Sequence, residues 1–443
     1  MLTTLPWSSP TRFRIRLTLT AVFLFACAAA VCGQGSLVFP PYTHSYGIRK
    51  ATPKHLFMFF GPATSFADPQ GLATVKMKSR DDTTTVNDDD EVVVYGVNSG
   101  RHQLIYNTSM WGLATYGTRG NGRDQFNSPK GVACDADGHV FVADWGNNRI
   151  VHLFNPKKKV YWVAAFNGAE KGGIGLSGPQ QVALDESGRV YVSDPGNRRI
   201  AVFSYDGGLL RSFPANGAFS FVNGPVTLAV ADGKNRYSHF RDERCIFCCD
   251  SGGKRLWKID FDGRVLARAG VPQGYTACYG ATDYYHDFLV TDMEKGCILK
   301  FDHNLTVLDT FGSTGTGDNQ FNEPRGIAIY KRYGQTFVAE KTGAQYYWVG
   351  TSLKKAALTE KADGRYSLSV QVTDYTLATL FSASHKDTVT YFKRRWVPCG
   401  SSLIDFTLEG EKRIRESGLT LKIEPTYSSA TFYAWYYPVK VTK

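Results

Sequence analysis

A unit of about fifty residues recurs along the middle of this chain, and it constrains the fold more than any other feature. Pro129 and Asp144 recur 50 residues later as Pro179 and Asp194, and a third copy spans 321–349. One unit of this size cannot bury its own apolar face, so its neighbours must cover it. The repeat therefore indicates an array of similar structural units.

Three weaker copies fill the gaps, and an acidic or amide residue marks the same slot in all six. The six residues are Asn98, Asp144, Asp194, Asp250, Asp292 and Glu340. Each copy carries short β-type runs separated by turn residues, and four such runs make one blade of a β-propeller. The slot residue can accept backbone N–H groups within its turn, and we expect Arg149, Arg199 and Arg255 to pair with neighbouring blades.

The segment GTRGNGRDQFNSPKGVACDADGHVFVADWGNNRI at 117–150 resembles the NHL repeat family. The resemblance covers residues 54–350 and implies an all-β, six-bladed β-propeller of NHL type. The last copy stops after its third strand. Residues 54–60 are similar to an outer strand, and we expect them to complete that final blade, which would leave no open sheet edge.

The C-terminal residues 351–443 follow a different pattern. Short runs such as YSLSVQVTDY and GLTLKIEP alternate apolar and polar residues and end at Gly, Ser, Asp or Pro. This pattern predicts a small β-sandwich, for which the immunoglobulin-like arrangement is one form.

The N-terminus has the layout of a secretory signal peptide, which we assign to residues 1–33. Arg12, Arg14 and Arg16 precede an apolar run of 15 residues at 17–31. We expect a secreted, extracellular protein, with a lipid anchor at Cys32 or an uncleaved anchor as alternatives. The mature chain has no other apolar run long enough for a transmembrane span. An exported context favours disulfide bonds, but the pairing does not follow from the sequence.

The net charge of +11 is concentrated at the two ends of the chain, which leaves the repeat region near balance. A nucleic-acid-binding domain would carry a clustered basic face. Nucleic acid is therefore not an expected partner.

Ligands of propellers usually bind where loops converge on the central axis. The residue after the repeat proline approaches this axis in each copy, giving a ring of Gln70, Lys130, Gln180, Val226, Cys278 and Arg325. This ring could bind an anionic group, with Lys130 and Arg325 as the main donors. Asp68 and Glu323 would compete for those cations, and a water-lined channel mouth is the alternative interpretation.

No catalytic residue can be assigned from motifs, and no cofactor is expected. Related propellers include a zinc-dependent amidating lyase, but zinc needs several convergent histidines and none of the nine lies in the ring. Calcium at the acidic loop 81–91 fits no EF-hand spacing. Neither zinc nor calcium is therefore supported by a motif.

The leading hypothesis is an extracellular binding module that presents a protein, a glycan or a small polar ligand with a rigid ring of loops. The alternative is a secreted metal-dependent lyase or hydrolase similar to the amidating lyase. The sequence leaves open whether the chain is an enzyme.

Overall fold

The computed structural model describes most of the chain from residue 37 onwards. The described residues are 37–38, 50–81, 92–109, 112–170, 173–214, 220–221, 223–383, 388–408, 414, 418–426 and 434–442. The predicted signal peptide at 1–33, with Cys32, lies outside these residues, as does the acidic loop beyond Asp81.

Short elements precede the first sheet: β1 (Leu37–Val38), β2 (Lys50–Ala51), α1 (Pro53–Phe60) and a 3-10 turn (Gly61–Ala63). Blade 1 then comprises β3 (Pro69–Val75), β4 (Val93–Asn98), β5 (Gln103–Ser109) and β6 (Gly112–Tyr116). A parallel pair follows, β7 (Thr118–Arg119) with β8 (Gln125–Phe126). Single 3-10 turns lie at Lys78–Arg80 and Ser99–Arg101.

Blades 2 and 3 are four-stranded antiparallel sheets. Blade 2 comprises β9 (Val132–Cys134), β10 (His139–Asp144), β11 (Arg149–Phe154) and β12 (Tyr161–Phe166). Blade 3 comprises β13 (Val182–Leu184), β14 (Arg189–Asp194), β15 (Arg199–Ser204) and β16 (Leu209–Phe213). The second and third strands of each blade are joined through a 3-10 turn, at Trp145–Asn147 and Pro195–Asn197.

Blades 4 and 5 are also four-stranded antiparallel sheets, and blade 6 supplies three strands of its own. Blade 4 comprises β17 (Pro225–Asp232), β18 (Arg244–Asp250), β19 (Arg255–Asp260) and β20 (Val265–Gly270). Blade 5 comprises β21 (Gly280–Thr282), β22 (Phe288–Asp292), β23 (Cys297–Phe301) and β24 (Val307–Phe311), followed by the parallel pair β25 (Ser313–Thr314) and β26 (Gln320–Phe321). Blade 6 comprises β27 (Ile327–Tyr330), β28 (Gln335–Glu340) and β29 (Gly343–Val349).

The innermost strands of these sheets contact one another in a closed circle, from β3 through β9, β13, β17, β21 and β27 back to β3. Glycine permits the close approach. The N–H of Gly71 donates to the carbonyl of Lys130 at 2.8 Å, and the N–H of Gly326 donates to that of Gln70 at 3.1 Å. A Cβ on Gly326 would lie 2.2 Å from that Gln70 oxygen, so a side chain does not fit.

The ring is closed by strands that precede residue 54, and not by the predicted strand at 54–60. β1 and β2 both pair antiparallel with β29, the outermost strand that blade 6 supplies itself. Residues 53–60 form α1 because Pro53 suits the first helical turn and Thr52 and His55 form a capping box. The prediction of an outer strand at 54–60 was therefore wrong.

The slot residue fixes the turns of each blade, as expected. The buried carboxylate of Asp144 accepts the backbone N–H of Asn127 at 2.6 Å and the side chains of Asn147 and Arg149, both at 2.8 Å. Burial raises the pKa of Asp144, while these hydrogen bonds oppose the rise. Arg149 pairs with the aspartate of its own blade, which corrects the expectation of a neighbouring blade. Asp194 and Arg199 repeat the arrangement, with a separation of 2.7 Å.

The C-terminal part forms two four-stranded sheets. One contains β30 (Leu353–Glu360), β31 (Tyr366–Val372), β34 (Gly400–Phe406) and β37 (Val441–Thr442). The other contains β32 (Thr376–Ala383), β33 (Thr388–Val397), β35 (Leu419–Pro425) and β36 (Trp435–Pro438). Side chains of both sheets share one buried core, which includes Leu368 and Leu421.

A buried charge cluster joins blade 5 to the loop between β31 and β32. The Nζ of Lys300 lies 2.5 Å from the Asp374 carboxylate, 3.1 Å from that of Asp287 and 3.7 Å from that of Asp283. All four side chains are almost fully buried. Coulombic attraction by the three carboxylates raises the pKa of Lys300, while burial raises the pKa of Asp374 to about 6 and also that of Asp287.

The expected disulfide bonds are not found among the described cysteines, all seven of which are free thiols. Cys245, Cys248 and Cys249 lie on the single strand β18, and each is buried in the packing between blades. Burial raises the pKa of these thiols, so they pack as small apolar groups. Within the described part of the chain, no helix is long and apolar enough to cross a bilayer.

Candidate functional site: grooves between turns of blades 2, 3 and 4

The predicted axial ring residues occupy equivalent backbone positions. Four of them donate their N–H to the second strand of their own blade: Lys130 to Ala143 (2.9 Å), Gln180 to Ser193 (3.1 Å), Cys278 to Thr291 (2.9 Å) and Arg325 to Ala339 (2.7 Å). Val226 and Gln70 lie in the inner strands β17 and β3. The repeat alignment therefore places these residues at the same point of the backbone hydrogen-bond pattern, and their assignment as an axial ligand site stays a prediction.

The side chains of the ring do not act as one group. The guanidinium of Arg325 forms ion pairs with Asp68 and, at 3.1 Å, with Glu323. Gln70 donates to Asp68 at 2.8 Å and accepts from the hydroxyl of Tyr279, which reaches it from blade 5. The two expected competitors are thus in contact with Arg325, and an anion there would have to displace them.

Lys130 behaves differently, because its ammonium points towards an aromatic ring. Its Nζ lies 5.7 Å from the centre of the Trp145 ring, within the range of a cation–π contact. Desolvation lowers the pKa of Lys130. Among the described residues, no carboxylate forms an ion pair with it. A partly desolvated ammonium without a counter-ion is a favourable place for a ligand anion.

Trp145 forms one wall of a groove of about 440 Å³ between blades 2 and 3, which we name the Trp145 groove. Its lining residues are Trp145, Gly146, Asn148, Ser177, Gly178, Pro195 and Gly196. The indole is 42 % exposed. Its Nε1 would lie 3.1 Å from a Cβ at Gly178, so glycine lets the ring lie close to the facing loop. The groove thus combines an open aromatic face with hydroxyl and amide groups.

A second groove, of about 370 Å³, lies one repeat further along between blades 3 and 4. We name it the Arg198 groove, and it is lined by Arg198, Pro214, Ser220, Phe221 and Asn223. Arg198 takes the place of Asn148, and Asn223 takes the place of Ser177, when the repeats are aligned. The two grooves share the turn of blade 3, since Pro195 borders one and Arg198 the other.

In the two preceding blades, the residue at the repeat position of Arg198 forms a hydrogen bond that fixes the next loop. His102 and Asn148 each have a left-handed backbone (φ 56° and 52°), and their side chains accept the N–H of the next loop. These bonds join His102 Nδ1 to Ser128 at 2.9 Å and Asn148 Oδ1 to Gly178 at 2.7 Å. Arginine has no acceptor. Arg198 cannot make this bond, and its exposed side chain projects over the Arg198 groove.

A hydrogen-bonded chain of Ser238, His286 and Glu243 lies elsewhere, where the long β17–β18 loop meets blade 5. His286 lies 2.6 Å from the Glu243 carboxylate through Nδ1 and 2.6 Å from the Ser238 hydroxyl through Nε2. Burial lowers the pKa of His286, and the hydrogen bond to Glu243 opposes this change. Ser238 and His286 are buried, and only the glutamate end approaches solvent. The chain therefore ties the loop to blade 5 and offers no hydroxyl to a substrate.

The histidines that zinc would need do not converge on the hub within the described residues. His55 caps α1, His102 closes a loop, and His139 bonds His152 at 2.9 Å on blade 2. The one group of three potential ligands found there is Asp283, Asp287 and Asp374, and the Lys300 ammonium lies among them. The residues present do not form an open zinc site of the amidating-lyase kind.

Comparison with known proteins finds one matching repeat and several solved structures of low similarity. The family model described as NHL repeat matches residues 126–153. A streptogramin B lyase structure is similar at a TM-score of 0.43 and 14 % identity, covering 65 % of this chain and 95 % of that chain. A gluconolactonase from Xanthomonas campestris gives 0.45 and 13 %, covering 72 % and 99 %. Hydrazine synthase from Kuenenia stuttgartiensis gives 0.43 and 10 %, covering 69 % and 78 %. No curated protein matches the chain.

Sequence reasoning identified the repeat but missed Trp145 and Arg198. The alignment of the six repeat copies contained a signal for Trp145. The position that follows the slot residue holds Ser99, Trp145, Pro195, Ser251, Met293 and Lys341. Tryptophan is not a residue that an exposed turn favours, so Trp145 stands out in this series.

Proposed function

We propose that this NHL-repeat β-propeller is an exported binding module, and that its ligand occupies the Trp145 groove and the adjoining Arg198 groove. The exposed indole of Trp145 carries the proposal. Tryptophan contributes more binding energy than other residues when a partner covers it, and here it lies open beside polar groups and the Lys130 ammonium. Partners of three classes fit such a surface: proteins, glycans and small polar ligands.

Rigidity of the surroundings supports this proposal. Three backbone N–H groups in the Trp145 groove are already bonded: that of Gly146 to Asn127, that of Gly178 to Asn148 and that of Gly196 to Ser177. The loops are thus fixed before a ligand arrives. A preorganised surface loses little conformational entropy on binding.

The test is a comparison of the full chain with Trp145→Ala on arrays of glycans, peptides and small anions. Tyr161→Ala is the matched control, because Tyr161 is an aromatic residue of similar exposure (48 %) on the outer strand of the same blade. We expect Trp145→Ala to lose about tenfold or more in affinity and Tyr161→Ala to bind as the wild type does. Equal binding by all three proteins would contradict the proposal. So would turnover of a lactone or hydroxyglycine peptide that depends on added zinc or calcium.

Export is part of the proposal and is supported by the leader-like sequence at 1–33. Expression with the native N-terminus, followed by N-terminal sequencing of protein from the medium, tests it. A mature chain that begins near residue 34 is expected. Retention of the leader in the cytoplasm would refute export while leaving the binding groove to be tested on its own.

A further inference from the structure

We propose that the ligand of the two grooves is an acidic glycan, a chain of sugars bearing carboxylate or sulfate groups, held across blades 2 to 4. This inference rests on the proposed function and specifies its ligand. It combines three observations: the repeat relationship of the grooves, the chemistry of their walls and two cations for which the described residues provide no ion-pair partner.

The repeat relationship indicates a ligand that is itself extended. Two pairs of equivalent repeat positions line the grooves, Asn148 with Arg198 and Ser177 with Asn223, and the turn Pro195–Asn197 lies between them. A chain that crosses this turn would meet polar side chains at the same two repeat positions twice, one blade apart. A polymer of similar units matches such a surface better than a compact small molecule does.

The walls favour sugars over peptides. A peptide that binds as an added β-strand is recognised through its main chain, which needs free backbone donors or an open strand edge. In the Trp145 groove the N–H groups of Gly146, Gly178 and Gly196 are all occupied by bonds within the protein. A ligand in the Trp145 groove must therefore be recognised by side chains. The flat indole of Trp145 can cover the apolar C–H face of a sugar ring, and the exposed hydroxyl of Ser177 can bond its rim.

The charges select an acidic glycan over a neutral one. Among the described residues, neither Lys130 nor Arg198 forms an ion pair, whereas Arg149, Arg199 and Arg325 all do. Arg198 also departs from the acceptor that the scaffold uses at this slot in blades 1 and 2. Its planar guanidinium can bond a carboxylate or sulfate through two parallel N–H groups. Lys130 adds a second positive charge 5.7 Å from the centre of the indole.

The experiment uses pairs of oligosaccharides that differ only in charge. Galacturonate hexamers are compared with their methyl esters, and sulfated dextran oligomers with unsulfated ones, by calorimetry at two salt concentrations. We expect the acidic member of at least one pair to bind about tenfold or more tightly than its neutral partner, with affinity falling as salt rises. The pair that shows the preference identifies carboxylate or sulfate as the recognised group.

Two variants locate the effect. Arg198→Ala should lose about tenfold in affinity for the acidic oligosaccharide and show a weaker salt dependence. Arg268→Ala, an exposed arginine on the outer strand β20, is the control and should bind as the wild type does. Equal loss in both variants would overturn the assignment of Arg198.

The outcomes separate this inference from the proposed function. Tight binding of neutral and acidic oligosaccharides alike, lost in Trp145→Ala, would overturn the charge selection but support a binding groove. Binding of a peptide or protein through Trp145, without binding of any oligosaccharide, would overturn the glycan class alone. Binding of sugars that Trp145→Ala leaves unchanged would overturn both.

Discussion

Replacement of Lys300 by methionine should destabilise the whole chain far more than the loss of an ordinary lysine. The Lys300 ammonium lies 2.5 Å from Asp374 and 3.1 Å from Asp287. Methionine keeps the length and apolar volume of the side chain. The change therefore removes the charge and leaves three carboxyl groups buried between blade 5 and the C-terminal sheets.

The magnitude follows from the burial. Removing one partner of a buried ion pair costs about 3–5 kcal/mol, since the other charge stays desolvated. With three carboxylates around one ammonium, the upper part of that range applies. The carboxyl groups can lower the cost by taking up protons, and the pKa of Asp374 is already raised to about 6 by burial.

The measurement is the free energy of unfolding of the full chain from urea denaturation at pH 4 and pH 7. Lys295→Met is the control, because Lys295 is exposed in the turn just before β23. We expect Lys300→Met to lose about 3–5 kcal/mol at pH 7 and the control to stay within about 0.5 kcal/mol. The loss should shrink towards pH 4, because protonating the buried carboxyl groups costs less free energy as the pH approaches 3.8, the pKa of an aspartate in the unfolded chain.

A double variant adds a direct check. Asp374→Asn removes one buried carboxylate and should restore part of the stability lost in Lys300→Met. If both lysine variants cost the same, or if the loss at Lys300 does not change with pH, the charge cluster does not stabilise the junction and the reasoning fails.

Three further predictions concern the propeller, with unfolding free energy as the common measurement. Gly131→Ala should cost about 1–3 kcal/mol because its Cβ would lie 2.4 Å from a backbone oxygen of blade 3, whereas Gly270→Ala, with open space, should cost nothing measurable. Asp144→Ala should cost about 3–5 kcal/mol by leaving three donors unpaired, against less than about 1 kcal/mol for the exposed Asp137→Ala. Burial lowers the pKa of His152 from 6.5 to about 4, so the unfolded chain takes up a proton before the folded chain does as the pH falls. The free energy of unfolding should therefore be highest above pH 6.5 and fall by up to about 3 kcal/mol as the pH drops to 4. An NMR titration of the His152 imidazole with a midpoint near 6.5 would contradict this.

The repeat made the propeller predictable because its landmarks perform one physical task in each copy. Asp144 and Asp194 hold the turn in front of their blade, so the same residue type recurs at the same spacing. The closing strands were not predictable in this way. Leu37 and Lys50 belong to no repeat, and their pairing with β29 depends on residues about 300 positions away.

The candidate site was predictable only in part. Repeat position placed Lys130 and Arg325 at the hub, but it could not show that Asp68 reaches Arg325 or that Lys130 faces Trp145. The first is a side-chain contact between blades 1 and 6, and the second joins two loops of blade 2. They depend on rotamers and on the separation of loops, which local spacing does not encode.

The pairing of Leu37 with Val349 has a consequence for biogenesis. During synthesis β1 leaves the ribosome long before its partner strand β29 is made, so the ring cannot close until blade 6 has been translated. Contacts so distant in sequence form slowly. Until that pairing forms, β29 remains an unprotected edge that a second nascent chain could occupy. A chain that begins after Ala51, and so lacks β1 and β2, should keep the strands that each blade supplies itself and still aggregate.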